Sequence, residues 1–140
     1  MRKFISNSEE ETEAIACSFS ASIRENDVVA YTGSMGMGKT AFTRGLVKGF
    51  GGDDVVSSPT FALVNEYETP RFPVYHFDMY RVTTWENLYS TGFFDYLENG
   101  SVLLIEWSEN IEGALPETAI HVELAPGEDE HQRIITIEGR

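Results

Sequence analysis

The chain contains the stretch Gly33-Ser34-Met35-Gly36-Met37-Gly38-Lys39-Thr40. It matches the phosphate-loop pattern Gly-x-x-x-x-Gly-Lys-Ser/Thr at every fixed position. The residues before it, Asp27 to Thr32, predict a buried strand, and Thr40 to about Phe50 predicts a helix that ends at Gly51-Gly52. A strand, a glycine-rich turn and a helix in this order are the context that the pattern requires. They indicate an α/β fold.

The residue types of this loop suit the phosphates of a nucleotide. Glycines let successive backbone N–H groups converge on one anion, and the following helix directs the positive end of its dipole at the same point. Lys39 is expected to neutralise the outer phosphates, and the Thr40 hydroxyl is placed to ligate Mg²⁺. A turn that binds nothing is disfavoured because strand, loop and helix are in register. We therefore expect ATP and Mg²⁺, with contacts from Gly33, Ser34, Met35, Gly36, Met37, Gly38, Lys39, Thr40 and Ala41.

Two acidic residues follow strand-like runs, where a phosphate loop needs a carboxylate for the metal or the attacking water. Glu106 follows a four-residue apolar run, and Asp78 ends a run of alternating character. Hydrophobic strands that end at the loop face deliver their next residue to the ligand, which favours Glu106. Alternation along the other run puts His76, Asp78 and Tyr80 on one face. For each acid the alternative is a solvated carboxylate at a strand end.

Hydrophobic periodicity and turn residues predict the remaining elements of one α/β domain, residues 1–140. Its expected fold is the three-layer fold of P-loop proteins, with a parallel central sheet extended by antiparallel strands. The predicted strands and helices are a strand at Phe4-Ile5, a helix capped by Ser8 with Ile15, Phe19 and Ile23 on its apolar face, strands at Phe61–Tyr67, Val74–Phe77 and Ser101–Ile105, partial helix over Thr83–Leu97 interrupted at Gly92, and an antiparallel pair, Ala119–Leu124 and Arg133–Ile137.

Composition restricts the function classes. The net charge of −13 disfavours direct binding to nucleic acid, because such binding depends on Lys and Arg displacing counterions. We therefore expect no DNA partner, and RNA only through a partner protein. No apolar run is long enough for a membrane helix, and the first residues lack the apolar core of a secretory signal. Cys17 is the only cysteine, so no intrachain disulfide can form, which favours a reducing, cytoplasmic setting. Cys17 itself is expected to be a small buried helix residue.

Several motifs beyond the phosphate loop, taken together, resemble the TsaE (YjeE) family. These bacterial ATPases act in the biosynthesis of tRNA threonylcarbamoyladenosine. The order and spacing agree across roughly residues 4 to 137. A phosphate loop is shared by hundreds of families, whereas the H-x-D-x-Y-R and S-P-T elements at these intervals are far more specific. The matching segments are Thr43-Arg44-Gly45, Ser58-Pro59-Thr60-Phe61, His76-Phe77-Asp78-Met79-Tyr80-Arg81 and Leu104-Ile105-Glu106-Trp107.

The resemblance implies a slow ATPase that works mainly when assembled with TsaD and TsaB, the proteins that transfer the threonylcarbamoyl group to adenosine beside the tRNA anticodon. It also implies roles for individual residues. Lys39 would hold phosphates, and Thr40, Asp78 and Glu106 would surround Mg²⁺. Thr60 would belong to a switch-like loop near the terminal phosphate, as a catalytic residue with the two acids. Trp107 would lie close to the nucleotide.

The chain departs from the family pattern inside the loop. The family commonly has Asp in place of Ser34 and a second Thr in place of Ala41, and Met37 adds bulk where the family often has Ala. We do not infer inactivity from these differences. On the following helix, Arg44 and Lys48 lie four residues apart and share a face. They are candidates for a basic contact patch, with an ordinary solvated face as the alternative.

Three other functions remain open at this point. A small-molecule kinase is one, because the start of the loop is similar to that of shikimate kinases. Such enzymes usually need an arginine-rich lid, and Arg71 and Arg81 are the only arginines between Thr60 and Glu106. A guanine-nucleotide switch is disfavoured by the lack of an N-K-x-D element. A nucleotide-binding scaffold without turnover is the third.

Overall fold

One sheet of seven strands organises the computed structural model, which describes residues 1–33, 36–53, 56 and 64–139. The spatial order is β1-β7-β6-β2-β5-β4-β3. The four central strands, β6, β2, β5 and β4, are parallel, while β3 at one edge and β7 and β1 at the other are antiparallel to their neighbours. The strands are β1 Arg2–Ser6, β2 Val28–Thr32, β3 Val64–Tyr67, β4 Val74–Asp78, β5 Val102–Glu106, β6 Ile120–Pro126 and β7 Arg133–Glu138.

Helices cover both faces of this sheet. On one face, α1 (Glu9–Phe19) and α2 (Lys39–Gly49) share an apolar core with alternate residues of the central strands. On the other face, α3 (Trp85–Ser90), α4 (Phe93–Tyr96) and the 3₁₀ segment Ser108–Ala114 enclose a second core. The three layers confirm the predicted α/β fold with a parallel sheet extended by antiparallel strands.

The β5 strand shows why a continuous apolar run predicts a central strand. Its residues 102–106 are all buried. Leu104 packs on the side of α1 and α2, and Leu103 and Ile105 pack on the side of α3 and α4. A parallel strand covered on both faces needs apolar residues at every position. The run ends at Glu106 because the sheet ends there, beside the phosphate loop.

The first helix begins as predicted and ends earlier. The Ser8 hydroxyl accepts a hydrogen bond from the backbone N–H of Glu11, at 3.1 Å, and so caps α1. Helix α1 ends at Phe19, and a 3₁₀ turn, Ser20–Ser22, leads to the buried Ile23 in an extended conformation. The prediction for Cys17 was wrong. Its side chain is exposed, because the buried positions of α1, among them Ala16 and Phe19, lie on the face towards the sheet.

The two helices on the site side of the sheet approach each other closely at Gly45 of α2. A Cβ atom there would collide with the carbonyl oxygen of Glu13 and lie 2.7 Å from the Cβ of Ala16, both on α1. The missing side chain therefore sets the distance between α1 and α2. Both helices contribute to the cleft described below.

The predicted hairpin and the break at Gly92 are confirmed. Strand β6 pairs with β7 in antiparallel fashion and with β2 in parallel fashion. Gly92 separates α3 from α4. The predicted strand Phe61–Tyr67 is described only from Val64 onward. Among the described residues, no helix has the length and apolar character that crossing a membrane requires.

Candidate functional site

A cleft of about 600 Å³ opens where the phosphate loop passes from β2 into α2. Three parts of the chain form its walls: the loop with the start of α2, the start of α1, and the end of the β6–β7 loop with β7. Glu106, at the end of β5, also lines it. The remaining lining residues are Ser8, Glu9, Thr12, Gly36, Gly38, Lys39, Thr40, Ala41, Arg44, Glu130, His131 and Arg133.

The backbone around the phosphate loop is held by hydrogen bonds at both of its ends. The hydroxyl of Tyr31, on β2, lies 2.8 Å from the hydroxyl of Thr43, on α2. Ser108 donates to the Tyr31 carbonyl at 2.9 Å. Burial raises the pKa of the Tyr31 phenol well above its ordinary range, so this hydroxyl keeps its proton. These contacts tie the strand before the loop to the helix after it.

Glycine at position 33 permits the close approach of the loop to β6. Gly33 has a φ of +123°, and a Cβ atom there would collide with the carbonyl oxygen of Leu124. At the other end of the loop, α2 begins at Lys39 behind Gly38, which has no side chain to cap the first amides. Within the described residues no side chain caps the first turn, and its N–H groups are suited to an anion.

Lys39 is a cation buried beside this helix terminus. The residue is only 7% exposed. Within the described part of the chain it forms no ion pair. Its Nζ lies 5.7 Å from the ring centroid of Trp107, a weakly favourable cation–π geometry. Because lysine is almost never buried without a partner, this arrangement is chemically suited to an anionic ligand.

Two carboxylates lie side by side at the carboxyl ends of β4 and β5, where Asp78 and Glu106 are register partners. Glu106 is 9% exposed and lines the cleft. Its Oε2 lies 2.6 Å from Nε2 of the buried His76. Asp78 is half-buried, accepts a hydrogen bond from the Tyr80 N–H at 2.9 Å, and does not line the cleft. The structure thus brings the two predicted acids together, with Glu106 nearer the loop.

The predicted metal ligands, Thr40, Asp78 and Glu106, all offer oxygen atoms. Glu106 and Thr40 line the cleft, and Asp78 is next to Glu106. Over the described ranges, no three His, Cys, Asp or Glu side chains form a cluster suited to a metal ion. Mg²⁺ typically takes one or two carboxylates, with the remaining ligands from water and substrate phosphates. The residues present therefore fit Mg²⁺ bound with a nucleotide.

Trp107 and Tyr80 form an aromatic pair beside the acids. Their ring centroids are 4.8 Å apart. Trp107 has a φ of +59° and a ψ of +40°, an uncommon conformation for a bulky residue. The prediction that Tyr80 shares a strand face with His76 and Asp78 was wrong, because β4 ends at Asp78 and Tyr80 lies in the turn that follows.

The other predicted site residues are positions of the phosphate loop, together with Ala41 and Thr60. Ser34, Met35 and Thr60 lie outside the described residues. Ala41 lines the cleft. Met37, which is expected to add bulk in the loop, is half-buried. Its side chain packs against the apolar core under α1 and α2.

The proposed basic patch on α2 is engaged within the molecule. Arg44 and Lys48 both contact Glu13 of α1, at 3.1 and 2.9 Å. The hydrogen bond from Lys48, followed by that from Arg44, holds the pKa of the Glu13 carboxyl below its usual value, although desolvation opposes the shift. The two cations therefore belong to a contact between helices, and the patch is partly neutralised.

Sequence reasoning missed two walls of the cleft. One is the start of α1, and the other is the end of the β6–β7 loop with Arg133. Arg133 donates to the carbonyls of Glu130 and Gln132, and its Nη2 lies 3.4 Å from the Gly36 carbonyl oxygen. The hairpin itself was predicted. Its position beside the phosphate loop follows from the pairing of β6 with β2, for which the sequence carries no local signal.

Comparison with known proteins identifies a family that this chain matches. A family model described as "Threonylcarbamoyl adenosine biosynthesis protein TsaE" matches residues 6–135. Two relatives named tRNA threonylcarbamoyladenosine biosynthesis protein TsaE come from Rickettsia typhi and Bacillus subtilis. The first is 44% identical over 84% of this chain and 82% of its own length. The second is 36% identical over 93% of this chain and 82% of its own length.

A solved structure gives the same answer for the fold. The crystal structure of YdiB from Bacillus subtilis superposes with a TM-score of 0.82 and 32% identity. The match covers 97% of this chain and 83% of that one. Sequence and structure agree over nearly the whole length, and the chain belongs to the TsaE family.

Proposed function

We propose that the protein is an ATP-binding, Mg²⁺-dependent ATPase that acts in the formation of threonylcarbamoyladenosine in tRNA. The observation that carries the proposal is the burial of Lys39 at the start of α2, with no carboxylate paired to it in the described part of the chain. A cation held in this way, next to uncapped helix amides, favours a phosphate group.

The size of the cleft supports a ligand larger than phosphate. A volume of about 600 Å³ lies within the range of small-molecule sites. In the proposed complex, Lys39 and the loop amides bind the phosphates, with Ala41 in contact and Trp107 beside Lys39. The nucleoside part occupies the space towards the start of α1 and Arg133. The sequence has no N-K-x-D element for guanine, which favours ATP.

Oxygen-bearing side chains of α2 and of two strand ends are the proposed ligands of Mg²⁺ and the proposed groups for hydrolysis. Thr40, Asp78 and Glu106 would hold Mg²⁺, which neutralises charge on the phosphates when it is bound. Glu106 orients the attacking water and accepts its proton, and Asp78 supports the same edge of the site. The family pattern adds Thr60 as a catalytic residue, and this assignment rests on that pattern alone. The assignments of Thr40, Asp78 and Glu106 rest on the family pattern and on their positions in the structure.

The proposed role of the protein in tRNA modification rests on its family membership. The proposed need for partner proteins rests on its negative net charge. The net charge of −13 opposes direct binding to tRNA. Glu13 further neutralises the two cations of α2. We therefore propose that the protein docks on TsaD- and TsaB-type proteins in the cytoplasm, and that its slow ATP hydrolysis resets their complex between turnovers.

The test compares two lysines on one helix. In calorimetric titration with ATP and Mg²⁺, Lys39→Ala is expected to weaken binding about tenfold to a hundredfold, because a charged hydrogen bond contributes about 1.5–3 kcal/mol. Lys48→Ala, which removes a lysine that is 64% exposed, serves as the matched control and should bind normally. Equal affinity of Lys39→Ala and wild type would contradict the phosphate site.

Turnover is measured with the same proteins alone, with tRNA, and with the TsaD- and TsaB-type partners. Stimulation by the partners and none by tRNA alone is expected. Stimulation by tRNA without partners, or no stimulation by the partners, would argue against the proposed assembly. Phosphorylation of a small metabolite in this assay would identify a kinase instead.

A further inference from the structure

Three polar side chains form a hydrogen-bonded chain across the sheet. Tyr67 on β3, His76 on β4 and Glu106 on β5 are 3%, 0% and 9% exposed. The Tyr67 hydroxyl lies 3.2 Å from Nδ1 of His76, and Nε2 of His76 lies 2.6 Å from Oε2 of Glu106. The chain therefore runs from the buried edge of the core to the wall of the cleft.

The direction of these hydrogen bonds follows from the groups involved. An ionised carboxylate can only accept, so Nε2 of His76 carries the hydrogen that it shares with Glu106. In a neutral imidazole with its hydrogen on Nε2, Nδ1 accepts, and the Tyr67 hydroxyl donates to it. Both ring nitrogens are thereby satisfied, and the ring orientation is fixed from two sides.

His76 lies between a polar and an apolar neighbour on the sheet. Its register partners are Asn65 on β3 and Leu104 on β5, and the same face of β4 carries Val74, which belongs with Leu104 to the apolar core. A buried polar chain in such a place contributes little stability compared with apolar residues of similar volume. Its specific effect is on Glu106, a side chain that otherwise rotates about several torsions. One carboxylate oxygen is held, and the group faces the cleft.

We propose that His76 is a positioning residue that fixes the Glu106 carboxylate for ATP hydrolysis, with Tyr67 orienting the imidazole. This inference rests on the proposed ATPase function. It assigns to the first residue of the His76-Phe77-Asp78 segment a role through Glu106, without contact with the nucleotide. Outer hydrogen bonds of this kind typically change activity about tenfold to a hundredfold.

The kinetic test separates positioning from binding. At saturating ATP and Mg²⁺ with partners present, His76→Leu should lower kcat about tenfold to a hundredfold and leave KM within about threefold of wild type. His76→Gln should retain most of kcat, because its amide N–H reaches the place of Nε2. The conservative Tyr67→Phe should lower kcat by a smaller factor, and it keeps the test available if His76→Leu does not fold.

Wild-type turnover is measured first, so that the two ideas fail separately. No ATP hydrolysis by wild type overturns the proposed function and this inference with it. Hydrolysis by wild type that is unchanged in His76→Leu overturns only the inference. Equal losses in His76→Gln and His76→Leu also overturn it, because rescue by a donor at the Nε2 position is the central expectation.

One further measurement does not depend on turnover, and a second one compares stability with turnover. In ¹⁵N NMR of the nucleotide-free protein, His76 should carry its hydrogen on Nε2 and exchange it slowly with water, unlike the exposed His121 and His131. A hydrogen on Nδ1 with none on Nε2 overturns the inference. The double variant of Tyr67→Phe with His76→Leu should unfold at the wild-type temperature, within a few degrees, yet hydrolyse ATP slowly. Wild-type turnover by this variant overturns it too.

Discussion

Gly45 sets the approach of the two helices that carry the cleft, and Gly45→Ala tests how closely that approach matters. In an exposed helix the change stabilises by about 1 kcal/mol, because alanine has the higher helix propensity. Here the added Cβ would meet the Glu13 carbonyl oxygen and lie 2.7 Å from the Ala16 Cβ. The gain in helix propensity and the steric cost of the added Cβ therefore oppose each other, and the close contacts at Gly45 determine which is larger.

No side-chain rotation relieves this steric clash. Ordinary contact begins near 3.4 Å, so α2 must move from α1 by about 0.7 Å or more. The contacting atoms of Glu13 belong to the backbone of α1, which cannot rotate away. Overpacking of this kind costs about 1–3 kcal/mol. After the propensity gain of about 1 kcal/mol is subtracted, we expect a net destabilisation of up to about 2 kcal/mol. This lowers the unfolding temperature by up to roughly 8 °C for a chain of this size.

Thermal unfolding followed by circular dichroism measures this effect, and ATP titration measures its consequence for the cleft. Gly113→Ala is the control, since nothing lies within 4 Å of a Cβ at that position, and it should change stability by less than about 0.5 kcal/mol. Because α1 and α2 both line the cleft, Gly45→Ala should also weaken ATP binding. An unfolding temperature at or above that of wild type would refute the reasoning.

Two further changes test contacts near the same helices. Glu13→Gln should lower stability at neutral pH by up to about 1 kcal/mol for each lost ion pair. Because the folded-state pKa of Glu13 is depressed, this contribution is present above the ordinary glutamate pKa of about 4.3 and is lost as the pH falls through the folded-state value. Denaturant titrations of wild type and Glu13→Gln should therefore give converging stabilities in acid. A constant difference in stability at all pH values would contradict the ion pairs. Tyr31→Phe leaves the buried Thr43 hydroxyl without its partner and should cost about 1–2 kcal/mol in urea unfolding. The exposed Tyr89→Phe is its control, and equal stabilities of the two variants would show that the Tyr31–Thr43 bond contributes nothing.

The parts of the fold that the sequence predicted are those with local signals. The phosphate loop is a contiguous motif, and the run before Glu106 is apolar at each position, as a strand buried on both faces must be. Ser8 caps α1 through a hydroxyl three residues from its partner. In each case the interacting atoms are close together in the chain, so the pattern of residue types was sufficient.

The errors and omissions concern contacts between distant residues. Arg44 meets Glu13 across 31 positions, and His76 meets Glu106 across 30. The first contact removed the cations from a predicted surface patch. The second joins Glu106 to a histidine that the alternation of β4 had placed on a common face with Asp78 and Tyr80. Such contacts depend on which strands and helices become neighbours, and periodicity carries no information about that order.

The arrangement of the sheet also orders the events of folding. Strand β1, near the start of the chain, lies at the edge of the sheet of described strands, next to β7. Arg133, which lies beside the phosphate loop and lines the cleft, is also distant in sequence, at 97 positions from Gly36. A ribosome adding about 5–20 residues per second makes that arginine roughly 5–20 s after the loop. A nascent chain therefore has the phosphate-binding motif long before it has the complete cleft. We expect ligand-dependent protection from proteolysis only after β7 has emerged.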